Sequence, residues 1–119
     1  MITATIRMTI PRKKRGEALK ILRSMAAQCE IHPGFLGCYI YEDVQEENVL
    51  MFEEIWRNEE DLAQHLRSEI YRDVLLVMEM ALKHPEVRFN TVSTSAGIEA
   101  IEKLRSSKAQ NGHAGGKNG

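Results

Sequence analysis

Three side chains that can do chemistry stand close together in the segment VLMFEEIWRNEEDLAQHL, residues 49–66: Glu54, Trp56 and His65. An imidazole titrates near neutral pH, so His65 can take up or release a proton under ordinary conditions. Trp56 offers either a flat wall for a ligand or a packing residue where a strand meets a helix. Glu54 suits acid–base work, but a buried carboxylate is more often held by backbone N–H groups or an arginine, and that is the expectation here. A histidine on the apolar face of a helix is by default a hydrogen-bonded core residue. A functional His65 therefore needs a site around it.

The elements that must position these residues follow from periodicity. Leu50, Phe52, Glu54 and Trp56 share one face of a strand, and Val49, Met51, Glu53 and Ile55 share the other, so the strand is expected to be covered on both sides. Asn58 stands where an N-cap belongs, with Glu59, Glu60 and Asp61 in the first helical turn, where carboxylates complement the helix dipole. His65 then points back toward the sheet beside Leu62 and Leu66. Upstream, Ile2, Ala4, Ile6, Met8 and Ile10 alternate with Thr3, Thr5, Arg7 and Thr9, a first strand that Pro11 ends. Helical spacing runs from Gly16 to about Glu30, and His32-Pro33-Gly34 turns the chain. A second strand spans about Phe35 to Glu42, with Phe35, Tyr39 and Tyr41 on one face, and the short turn 43–48 favours a hairpin. Ile70 to Leu82 predicts a helix buried on a wide arc, and Val87 to Thr94 a fourth strand.

This β-α-β-β-α-β order is an α+β, ferredoxin-like antiparallel sheet with helices on one face. A sheet with apolar residues on both faces calls for a partner over the bare side, so the expected assembly is a homodimer. The domain is expected over 1–95, a short C-terminal helix over 96–105 carrying Ile98, Ile101 and Leu104, and a disordered tail over 106–119.

Composition narrows the function. With 119 residues, a net charge of −1 and a pI of about 6.4, the chain is one domain without the basic bias of a nucleic-acid or membrane-surface binder. The run Arg12-Lys13-Lys14-Arg15 reads as a solvated loop. Cys29 and Cys38 are too few for a disulfide scaffold and read as reduced thiols, which implies a cytoplasmic setting. His32, His84 and His113 are scattered in turns and tail without metal-ligand spacing.

HPGFLGCYIY, FEEIW and NEEDLAQHLRSEIY together resemble the antibiotic biosynthesis monooxygenase superfamily of dimeric α/β barrels: its P-G-x-x-G-x-x-x-Y hairpin entry, its strand ending E-x-W, and its helix with a Leu-x-x-His-Leu pattern. The resemblance covers roughly residues 2–94. Within the family, the polyketide oxygenases share the tryptophan at Trp56 but not the asparagine and tyrosine that accompany it, which Phe52 and Leu62 replace. The haem-degrading branch is disfavoured, since His65 stands at its tryptophan position and Leu75 at its ligand histidine. The quinol monooxygenase-like branch, with a histidine at His65, is matched best. The resemblance implies a cofactor-independent oxidation of a small quinol-like or polycyclic aromatic molecule by oxygen, with no metal. It assigns His65 as base and Trp56 beside it, with Phe52 and Tyr71 flanking the ring and Arg7 or Tyr39 donating to an oxygen. The alternative is a non-catalytic dimer of the same fold that binds a small molecule or a partner.

Overall fold

The structure is a computed structural model describing residues 1–111, with side chains described through Ser107. It contains strands β1 (Ile2–Thr9), β2 (Phe35–Glu42), β3 (Val49–Trp56) and β4 (Glu86–Thr91). The helices are α1 (Arg12–Cys29), α2 (Glu59–Leu66), α3 (Tyr71–Glu79) and α4 (Glu99–Asn111). The sheet is antiparallel with the order β2-β3-β1-β4, the ferredoxin-like arrangement.

Strict alternation in β1 buries Ile2, Ala4, Ile6 and Met8 and leaves Thr3, Thr5, Arg7 and Thr9 half-covered. The β1–β3 register sets Ala4 opposite Glu54 and Ile6 opposite Phe52, so the even-numbered residues of both strands form the helix-covered face. Its main core joins Ile6, Met8 and Phe52 to Leu22 and Met25 of α1 and Val74 and Val77 of α3. Each such buried side chain contributes about 1.5–3 kcal/mol of transfer free energy. A second cluster of Ile2, Ala4, Trp56 and Leu62 lies under α2.

Several sequence expectations shift. Leu36 is an extra residue in β2, with Phe35 opposite Trp56 and Gly37 opposite Ile55. That bulge moves Phe35 onto the helix-covered face while Tyr39 and Tyr41 stay on the bare one, so the three do not share a face. The helix expected over 70–82 is shorter, and Leu75 and Leu76 are exposed because α3 is covered only on the side of Val74 and Val77. α1 begins at Arg12 and β4 ends at Thr91. α4 continues past position 105 to Asn111; residues 112–119, with His113 and most of the expected tail, lie outside the described residues. Among the described residues no helix is long and apolar enough to cross a membrane.

The bare face carries exposed Tyr39 and Tyr41 and half-covered Met51 and Ile55. Tyr41 donates to Glu53 at 3.0 Å. Arg7 ties β1 to the β2–β3 turn through Asp43 at 2.9 Å and Glu46 at 2.8 Å.

Candidate functional site

α2 is set by its cap. The Asp61 backbone N–H donates to the Asn58 side chain at 2.9 Å, and the Asp61 carboxylate accepts from Arg57. Asp61 also fixes the preceding turn. Gly34 has φ +78, and a Cβ there would collide with the Asp61 carboxylate, so this position needs glycine on both counts. One turn after Asp61, His65 falls against the end of β3, and the α1–β2 turn brings His32 to its other side.

His65 is almost wholly buried, as are Glu54 and Trp56. One Glu54 carboxylate oxygen lies 2.8 Å from His65 Nε2, and the other accepts from Trp56 Nε1 at 3.4 Å. The carboxylate expected to bind backbone groups or an arginine instead joins the other two singled-out residues. A carboxylate at Nε2 is met by an N–H there, and in the neutral ring that tautomer makes Nδ1 the acceptor. Nδ1 lies 3.4 Å from His32 Nδ1, while Cys29 Sγ sits beside the ring, 3.8 Å from Nδ1 and 4.0 Å from Nε2. The indole of Trp56 stacks on the imidazole with ring centres 4.5 Å apart and planes 28° apart, while Tyr71 meets it edge-on at 5.3 Å. Phe35 meets Trp56 edge-on with ring centres 5.7 Å apart. A cleft of about 110 Å³, lined by His32, Pro33, Asp61, Gln64, His65 and Ser68, gives the site its opening.

Burial dominates the electrostatics. It pushes the Cys29 thiol and the Tyr71 phenol each up to about 12, with Glu54 adding to both. His32 is held below the usual imidazole range by burial and then by the His65 ring, against the opposing pull of Glu54.

Of the residues singled out from sequence, the structure gathers His65, Trp56, Glu54 and Tyr71. Phe52 shares their face of β3 but packs in the main core. Arg7 and Tyr39 do not join them: both lie on the bare face, with the sheet between them and His65. Sequence reading missed His32 and Cys29. The spacing Cys29-x-x-His32 was the available signal, and the His32 N–H donating to the Cys29 carbonyl at 2.9 Å marks the turn that makes it local.

Solved structures share this fold. A conserved protein from Methanosarcina mazei Go1 aligns with TM-score 0.70 and 21% identity over 75% of this chain and 89% of that one. Rv0793 from Mycobacterium tuberculosis aligns with TM-score 0.72 and 18% identity over 81% and 98%. A variant of SnoaB, a cofactor-independent oxygenase from Streptomyces nogalater, aligns with TM-score 0.68 and 15% identity over 79% and 94%. No curated protein matches the sequence. At these identities the likeness concerns the fold. The sequence pattern of the antibiotic biosynthesis monooxygenases, however, matches residues 1–75 directly, more than half of the 119 residues, and the chain belongs to that family.

Proposed function

We propose that the chain is a cofactor-independent monooxygenase acting on a small quinol-like or polycyclic phenol, in the manner of the quinol monooxygenase-like branch. The observation that carries this reading is the Glu54–His65 pair, which in the neutral ring favours the Nε2–H tautomer and makes Nδ1 the basic nitrogen, with His65 lining an opening to solvent. In the reaction, Nδ1 removes a proton from the substrate. The anion passes one electron to oxygen, the radical pair combines into a carbon-bound peroxide, and loss of water leaves a carbonyl: CH₂ and O₂ become C=O and H₂O. Trp56 and Tyr71 supply aromatic walls, and His32 stands where the proton can pass on to the cleft. Phe52 lies on the same face of β3, in the main core. A second copy covers the bare sheet face, forming the homodimer, and Arg7 and Tyr39 contribute there rather than at His65. The partners are this second copy and a small aromatic molecule, in a cytoplasmic setting.

The test is oxygen consumption across a panel of reduced naphthoquinones and related phenols. His65→Gln should fold and assemble normally yet lose about two to four orders of magnitude in turnover, the usual contribution of a positioned base. Full activity in that variant, or activity that appears only when flavin or iron is added, overturns the reading.

One observation favours a second reading, a ligand-binding protein without catalysis: the His65 side chain is 0% exposed and enclosed by aromatic and carboxylate neighbours. Binding of a quinone with no oxygen uptake from any reduced partner in the panel would select it.

A further inference from the structure

We propose that the proton removed by His65 travels through the ring of His32, so that His32 Nε2 is the atom that meets the substrate and Glu54, His65 and His32 act as one relay. This relay rests on the oxygenase reading for its reaction, though not for its geometry. His65 cannot meet a substrate unaided. Its side chain is 0% exposed, Glu54 lies 2.8 Å from Nε2, and His32 Nδ1 stands 3.4 Å from Nδ1. A molecule that reached His65 Nδ1 directly would have to displace the His32 ring.

Hydrogen-bond donors set the direction of the relay. With the Nε2–H of His65 given to Glu54, Nδ1 of the neutral ring is an acceptor, and its neighbour His32 Nδ1 meets it with an N–H. That tautomer leaves the lone pair of His32 on Nε2. Among the described residues His32 Nε2 has no hydrogen-bond partner, and no buried side-chain nitrogen or oxygen lacks one, so Nε2 reaches solvent. His32 also lines the cleft beside His65. Its half-buried ring sits on a fixed turn: the His32 backbone N–H donates to the Cys29 carbonyl at 2.9 Å, and its carbonyl accepts from Phe35 at 3.3 Å. A contact of 3.4 Å is long for a hydrogen bond, and such contacts in a free enzyme tighten when substrate binds. Burial and then the His65 ring hold His32 below the usual imidazole range, against the pull of Glu54, so the ring is neutral near pH 7 and able to accept a proton.

The cleft limits what enters. Its volume of about 110 Å³ is far below the roughly 300–1,000 Å³ of sites that enclose a ligand, so one edge of a bicyclic phenol fits and the remainder stays outside. In the forward step His32 Nε2 forms an N–H bond as the substrate's O–H or C–H bond breaks, and the substrate keeps the electron pair. The Nδ1 proton of His32 passes to His65 Nδ1, giving an imidazolium whose Nε2–H stays on the Glu54 carboxylate. Run backwards, the same path returns the proton to the peroxide. A second passage in each direction removes the remaining C–H proton and supplies it to the departing hydroxide, and both rings end as they began.

Nitrogen NMR of isotope-labelled imidazoles reads the geometry without any turnover. The expected result is neutral His65 as its Nε2–H form and neutral His32 as its Nδ1–H form. An Nε2–H form of His32 in the folded parent protein overturns the proposal whatever the activity. In the oxygen-uptake assay His32→Ala should keep the circular dichroism of the parent and lose about two to four orders of magnitude in turnover, the range for a positioned base. Added imidazole should restore part of that loss by entering the vacated space, and should do nothing for His65→Gln, whose position is enclosed. Unchanged turnover in folded His32→Ala, or a loss that imidazole leaves untouched, also overturns it. If the parent consumes no oxygen with any phenol of the panel, the oxygenase reading fails while the spectra still decide whether the two rings are paired as described, so the two failures are distinguishable.

Discussion

The two faces of one sheet part company at adjacent residues. Glu53 and Glu54 are neighbours of identical type in β3, yet Glu53 takes a hydrogen bond from exposed Tyr41, while Glu54 is enclosed and holds both the imidazole of His65 and the indole of Trp56. A pleated strand sends successive side chains to opposite sides, so identical groups meet unlike dielectrics. Polar chemistry on the helix-covered side is fixed by partners, because an unpartnered donor there is costly. On the bare side, Arg7 with Asp43 and Glu46 is a solvated brace.

Removing the groups that define the covered face should have the largest effects. Trp56→Ala should lose about 3–5 kcal/mol of stability in urea, the range for truncating a buried aromatic. Glu54→Ala should lose about 2–4 kcal/mol, since it leaves the His65 and Trp56 donors buried and unpaired. Glu53→Ala should change stability by little more than about 0.5 kcal/mol. Similar losses at 53 and 54 would erase the distinction between the faces.

A smaller effect concerns alkaline pH. Burial raises Cys29 and Cys38 from 9.0 to about 12, and Tyr71 from 10.0 to about 12, with Glu54 adding to each. These groups stay neutral in the folded chain where the unfolded chain ionises them. Their contribution is therefore complete below about pH 9 and is lost as the pH rises through about 12. Urea midpoints should fall steadily across that window, less steeply in Cys38→Ala. A flat profile would mean that the covered face is wetter than its packing indicates.

The smallest effects belong to Arg7→Ala and Tyr39→Ala, which should leave turnover and quinone affinity in the oxygen-uptake assay at the parent level. A large loss in either would bring the bare face into the reaction.

The legible part of this molecule was its contiguous part. Glu54, Trp56 and His65 lie in one strand–cap–helix run, so period-2 and period-3.6 spacing are enough to aim them at the same space. The element order was readable for the same reason, each alternation being local. Cys29 and His32 were not, because they reach His65 only when α1 and α2 close on the sheet, and no local pattern encodes that closure. Leu36 was hidden differently: one extra residue reverses which face every earlier side chain of β2 occupies, and the bulge has no compositional mark. Arg7 could have been excluded from the site by its parity with Thr3 and Thr5, but only once the β1–β3 register was known.

The stacked pair at the centre also has an optical consequence. Trp56 is the one tryptophan in the chain, and its ring lies face to face with His65. The ultraviolet emission of the protein therefore comes chiefly from a fluorophore in contact with the proposed base. A proton, an ion or an aromatic guest arriving at that imidazole changes the indole's excited state directly, so the native chain carries its own reporter of what occupies the site.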